Sequence, residues 1–276
     1  MLEVQTLLTG LAFGESPRWH EDRLWFSNWG TQEIIAVDSE GKSEVIVHVP
    51  TTLPFCIDWL PDGRLLVVSG REQLLLRREA TGELVTHADL SGLGMQTWNE
   101  IVVDGRGNIY LNGGNFDAPG IIALLTPDGS LRQVADNMAF PNGMVIIPTN
   151  KTLIVAESYA NRLTAFDIAE DGSLAQRRVW APLASFVPDG ICLDSEGAVW
   201  YADVPNKCCV RVKEGGEVLQ TIQHDRGCFA CMLGGIDKQM LFIVAAEWHG
   251  FEGMTDQART GQLLVIPAPA PGVGWP

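Results

Sequence analysis

Six residues, Glu15, Phe55, Asn99, Asn142, Asp189 and Phe229, hold the same place in a recurring segment, at successive spacings of 40, 44, 43, 47 and 40 residues. Two are carboxylates, two are carboxamides and two are aromatic. Gathered about one axis, the four oxygen-bearing side chains form a hard donor set suited to Ca²⁺, Mg²⁺ or Mn²⁺, and no His or Cys stands at any of the six positions. Two carboxylates brought together without a cation would repel each other, so convergence itself argues for an ion. The competing reading is that Asn and Asp only satisfy strand-end backbone groups, a common local habit of both residues. Their recurrence in register across six copies favours the ion.

The segment that carries these positions defines the elements that must place them. It reads GESPRW then RLWFSN from Gly14, LPFCIDWLPDGRLLVVSG from Leu53, and WNEIVVDGRGNIYLNGG from Trp98. Three further copies are FPNGMVIIPTNKTLIVAES from Phe140, VPDGICLDSEGAVWYADV from Val187, and CFACMLGGIDKQMLFIVAAE from Cys228. A period of roughly 40–45 residues with four short β-rich runs per copy is the signature of propeller blades. Asp62-Gly63, Asp128-Gly129 and Asp171-Gly172 mark hairpin reversals, and the runs Glu33 to Val37, Leu65 to Val68 and Gly197 to Ala202 are rich in β-branched or aromatic residues. The expectation is an all-β, six-bladed β-propeller occupying residues 1–276 as a single domain. A pair of β-sandwiches would need a central linker, and no Ser- or Pro-rich boundary occurs there. The last copy has a third run at Gln262 to Ile266 and then turns Pro-rich, unsuited to a central strand. The segment Leu2 to Leu8 is expected to supply the missing outer strand and close the ring, leaving no open sheet edge.

Composition narrows the function classes. Hydrophobic residues at 46% against 19% charged residues give a chain able to bury a core, which excludes intrinsic disorder. Nineteen basic against 34 acidic residues leave a net charge of −15, which argues against nucleic acid and anionic membranes as partners. No apolar run reaches the roughly 18 residues of a membrane span, and no basic stretch precedes the first apolar run, so a soluble, cytoplasmic protein is expected. The six cysteines are read as reduced thiols. Cys228 and Cys231 form a C-x-x-C without a second pair at zinc spacing, which reads as packing.

GESPRW at Gly14, WNE at Trp98, FPNGM at Phe140 and VPDGI at Val187 resemble the motifs of the SMP-30/gluconolactonase/LRE-like, or regucalcin-like, family across all six repeats. The resemblance implies a six-bladed propeller with one central divalent metal, held by Glu15, Asn142 and Asp189, with Asn99 contacting substrate or water. It implies lactone hydrolysis, with organophosphate hydrolysis in some members. Ca²⁺ is the first choice of ion, with Mg²⁺, Mn²⁺ or Zn²⁺ as alternatives.

The chemistry expected of such a site is opening of a cyclic ester, a small-molecule lactone, to a hydroxy acid. A divalent ion would polarise the carbonyl, Asp189 would take a proton from the attacking water, and Asn99 would help to carry the developing oxyanion. The opposing class is a non-catalytic calcium- or ligand-binding propeller, and organophosphate hydrolysis on the same metal is a third reading. The G-x-S candidate Gly14-Glu15-Ser16 lacks the strand–turn–helix context of a nucleophile elbow. Phe55, Trp98, Phe229 and His249 are expected at the substrate, with Phe116, Trp248 and Phe251 on neighbouring segments. Asn112, Glu157, Asp203 and Glu247 are expected at second-strand ends facing the same mouth, and the loop from Trp248 to Gly261 reads as a lid.

Overall fold

A computed structural model of the chain describes residues 4–51, 53–94, 96–115, 118–250 and 259–276. Its strands form six antiparallel sheets, each wound outward from an inner strand. Blade 1 runs through Gly14–His20, Arg23–Asn28, Glu33–Val37 and Ser43–His48, and blade 2 through Phe55–Trp59, Leu65–Ser69, Leu74–Arg78 and Leu84–Asp89. Blade 3 comprises Thr97–Val103, Ile109–Asn115, Ala118–Leu125 and Leu131–Met138, and blade 4 Pro141–Ile146, Thr152–Glu157, Arg162–Ile168 and Leu174–Pro182. Blade 5 comprises Pro188–Asp194, Val199–Asp203, Cys208–Val212 and Val218–Gln223. Blade 6 contributes Gly227–Gly234, Met240–Ala246 and Gly261–Pro267, and the N-terminal strand Gln5–Leu11 pairs with the last of these as its fourth strand. The ring therefore closes as the sequence implies, by β-pairing between the two chain termini.

The reversals follow from local side-chain chemistry. Asp104 Oδ1 accepts the backbone N–H groups of Arg106 and Asn108, and Asp194 Oδ1 does the same for Glu196 and Ala198. Such Asp side chains imitate a turn's own backbone bond and leave the following glycine to take the left-handed conformation. Apolar residues fill the spaces between blades, with Trp98, Trp200, Tyr110, Tyr201 and Phe26 fully buried.

The Pro-rich tail departs from expectation. Gly272–Val273 pairs with Leu193 and Asp194 at the far end of the blade 5 inner strand, giving that sheet a fifth strand, and Trp275 exchanges both backbone hydrogen bonds with Ile146 of blade 4. Two residues suffice for this pairing, so the prolines on either side do not obstruct it.

Candidate metal centre and substrate cavity

Inner strands begin at one mouth of the channel, and a local irregularity there aims the ring residues. In five blades the register between inner and second strand shifts at the ring position, between Glu15 and Arg18, Trp98 and Glu100, Pro141 and Met144, Pro188 and Ile191, and Cys228 and Ala230. A bulge of this kind bends the strand and turns a side chain that regular pleating would bury between blades. In blade 1 it is pinned at Ser16, whose φ is 50° and whose hydroxyl accepts the N–H of Ile57 at 3.0 Å. Blade 2 has no shift, and its Phe55 is fully buried.

Close approach of neighbouring blades explains the glycines of the Asn-Gly and Asp-Gly motifs. A Cβ on Gly143 would lie 2.7 Å from the carbonyl oxygen of Asp189, and one on Gly190 would lie 2.3 Å from the Cβ of Ala230. Without side chains these positions let the blade 4, 5 and 6 strands converge, bringing Asn142 and Asp189 together.

Glu15, Asn99, Asn142 and Asp189 all line one cavity of about 230 Å³ at this mouth. Asn99 Nδ2 donates to Asn142 Oδ1 at 3.2 Å, which links the amides of blades 3 and 4. Glu15 Oε2 accepts the N–H of Ser16 at 3.0 Å. Burial, opposed by that hydrogen bond and reinforced by the charge of Glu100, pushes the Glu15 carboxyl up to about 8. Burial and the charges of Glu15 and Glu100 push Asp189 well above the usual carboxylate range, against a hydrogen bond from Asn142. Carboxyls that hold protons so strongly have too little positive charge beside them, since the nearby Arg18 is paired with Glu100, and that is the condition a bound cation relieves. Among the described residues no three His, Cys, Asp or Glu side chains form a metal-binding group. The ring has two carboxylates and completes its donor set with amide oxygens, which a hard cation accepts. The donor chemistry thus fits a divalent ion held by Glu15, Asn142 and Asp189.

Glu100 was missed by the sequence reading. It lines the cavity, and its Oε1 accepts Arg18 Nη2 at 2.8 Å and the N–H of Ile101 at 2.8 Å. Strict alternation puts Asn99 and Glu100 on opposite faces, and the bulge between Trp98 and Glu100 removes that restriction. The signal in the sequence was an acidic residue adjoining a ring position.

The other expected residues divide. Phe229 lines the cavity, as does Trp248. Phe55 and Trp98 are both fully buried in the core and do not line it, which corrects their expected place at the substrate. His249 is exposed, sits 3.4 Å from Glu247 and does not line the cavity. Phe116, Phe251 and most of the expected lid, residues 251–258, lie outside the described residues. Asn112 Nδ2 donates to the Asn142 carbonyl at 2.6 Å, bracing a ring residue directly. Glu157 accepts the N–H of Ala139 and Asp203 that of Val187, each at 2.8 Å, so both anchor the segment leading to a ring position. Glu247 is exposed and, among the described residues, lies beside His249 rather than the ring.

A larger cavity of about 410 Å³ opens at the opposite mouth, beside the C-terminal tail. Its deepest polar groups are committed to the protein itself. Asp58 accepts the N–H groups of Val103 and Trp59, and Arg18 serves Glu100 and the Ile101 carbonyl. The four oxygen-bearing ring residues line the smaller cavity instead.

Fold and site together define a six-bladed propeller with an oxygen-lined, partly apolar cavity at one channel mouth. Residues 13–247 match the family described as SMP-30/Gluconolactonase/LRE-like region, and the chain belongs to that family. It is 24% identical to the pentonolactonase XacC of Haloferax volcanii over 250 residues, covering 88% of this chain and 84% of that protein. Its fold is similar to that of a luciferin-regenerating enzyme, with a TM-score of 0.84 at 17% identity over 99% of this chain and 97% of that one. A structure described as a calcium-binding protein, regucalcin, from Agrobacterium tumefaciens aligns with a TM-score of 0.81 at 19% identity, covering 99% and 95% of the two chains. Among the described residues no helix is long and apolar enough to cross a membrane.

Proposed function

We propose that residues 1–276 act as one cytoplasmic propeller unit that opens a lactone to its hydroxy acid with the help of a divalent ion, Ca²⁺ first. The observation that carries this reading is the convergence of Glu15, Asp189 and Asn142 in one cavity, with both carboxyls held at raised proton affinity. Family membership and the likeness to a pentonolactonase support the cyclic ester as substrate.

An ion bound there would supply Lewis acidity toward the ester carbonyl and a lowered pKa for water. Asp189 keeps one carboxylate oxygen to take the proton of the attacking water and later returns it to the leaving alkoxide. Asn99 spends one amide N–H on Asn142 and has a second to donate to the oxyanion. Asn112, through the Asn142 backbone carbonyl, and the Ser16 N–H donated to Glu15 brace the ring through these steps. No covalent nucleophile is needed.

Metal analysis of the purified protein, followed by a lactone panel with and without chelator, tests the proposal. About one divalent ion per chain and chelator-sensitive turnover are expected. Undiminished hydrolysis by metal-free protein overturns it. A bound ion without lactone turnover points to a calcium-binding module, and turnover confined to phosphotriesters points to an organophosphate hydrolase.

A further inference from the structure

We propose that the cavity is built for a small lactone carrying an alkyl or aryl substituent, in preference to a polyhydroxylated sugar lactone; this rests on the lactonase reading above. The walls show why. Phe13, Trp29, Phe229 and Trp248 form one aromatic surface, with ring centroids 4.4 Å apart for Phe13 and Phe229, 5.4 Å for Phe13 and Trp29, and 5.7 Å for Phe229 and Trp248. Blade 4 adds the stacked pair Phe140 and Tyr159, 4.6 Å apart, and blade 5 adds Val187, Val204 and Pro205.

Among the described residues, polar groups outside the ring are few and, Tyr159 aside, already engaged. The Ser158 hydroxyl donates to the Pro188 carbonyl at 2.7 Å, Trp29 Nε1 donates to the Phe55 carbonyl at 2.6 Å, and Glu100 is paired with Arg18. No Lys, Arg or His lines the cavity among the described residues, and residues 116–117 and 251–258 contain none of the three. On the lactonase reading the ring residues would be taken up by ion, water and reacting ester. Each hydroxyl of a sugar lactone would therefore give up its water without gaining a partner, whereas an alkyl or aryl group gains from the same walls. Aromatic faces also stack on the C–H faces of sugars, but that mode needs hydrogen-bonding groups around the ring edge, and among the described residues this wall supplies only Tyr159, itself 55% exposed at the rim. The cavity, at about 230 Å³, falls below the roughly 300–1,000 Å³ typical of drug-sized ligands, so one ring with a short substituent fills it.

Two measurements on the metal-loaded protein test this. Calorimetric titration with non-hydrolysable δ-lactams, one alkyl- or phenyl-substituted and one the gluconolactone analogue, is expected to show at least tenfold tighter binding of the substituted apolar lactam. Specificity constants for δ-nonalactone and dihydrocoumarin against glucono-δ-lactone are expected to follow the same order. Trp248→Ala is expected to weaken the apolar lactam about tenfold, and Trp248→Phe, which keeps an aromatic face, is expected to retain most of the binding. Equal or tighter binding of the sugar lactam overturns the proposal. A kept lactam preference with no lactone opened would instead sink the lactonase reading and leave the apolar preference standing.

Discussion

Arg18 Nη2 lies 2.8 Å from Glu100 Oε1, both side chains more than nine-tenths buried, in the channel directly below the ring residues. The pair joins blade 1 to blade 3 and, among the described residues, is the cationic contact close to the ring's carboxylates. Glu100, Asp58 and Cys56 all favour the charged guanidinium, which stays protonated despite its burial. Arg18→Met is therefore expected to destabilise the fold by about 3–5 kcal/mol, because it strands Glu100 as an unpaired buried charge. Urea denaturation measures the loss, and Arg18→Met combined with Glu100→Gln should recover most of it. A single-variant cost below about 1 kcal/mol would show that the channel hydrates the lone carboxylate.

Separate roles for Asp189 and Asn99 predict separate phenotypes. Asp189→Ala should abolish both ion binding and turnover, since it removes a charged donor and the proton acceptor. Asn99→Ala should keep the ion and lower kcat by about 10²-fold, in line with loss of one oxyanion donor. Metal content and kcat measured on both variants decide the matter; equal ion loss would place Asn99 among the ligands.

Gly190→Ala adds a methyl that meets Ala230 at 2.3 Å, too close for either backbone to stay in place. The expected result is a loss of about 1–3 kcal/mol in stability together with weaker ion binding, because Asp189 moves with its neighbour. Pairing it with Ala230→Gly should restore part of both. Thermal melts with and without Ca²⁺ would show this, and unchanged Ca²⁺ affinity in the single variant would count against the close-approach argument.

Proton and the proposed cation would compete for the same carboxyls, and the sign follows from Glu15. Its value rises from 4.5 to about 8 on folding, through burial first. Below about pH 4.5 both folded and unfolded chains hold the proton. Between about 4.5 and 8 only the folded chain holds it, so metal-free stability falls as pH rises and levels off above about 8. Asp189 is shifted in the same direction. Thermal midpoints of chelated protein from pH 5 to 8.5 should decline, Glu15→Gln should flatten the decline, and Ca²⁺ should suppress it by replacing the proton. A rising midpoint over that range would contradict the burial of an uncompensated carboxyl.

The repeat made the ring legible because propeller symmetry turns equal sequence position into equal height at the channel mouth. Glu15, Asn99, Asn142 and Asp189 could be gathered on paper for that reason. Phe55 shared the position but not the bulge, and a backbone irregularity of one residue leaves no mark in an apolar pattern. Glu100 was hidden by the converse effect, since period-2 alternation cannot put adjacent residues on one cavity. The tail pairing of Gly272–Val273 was also illegible, because two residues carry no periodicity and their partner lies on another blade.

The pairing of Gln5 with Val265 makes closure of the ring a long-range event. On a ribosome the first strand waits, edge exposed, until the last blade has been made, and contacts of such sequence separation form slowly. Joining the present ends through a linker long enough to span from the tail to the first strand, and reopening the chain at an exposed hairpin, would make this seam local. The permuted molecule should close faster and aggregate less during refolding, while its ring of donors, spread over four blades, would come together unchanged.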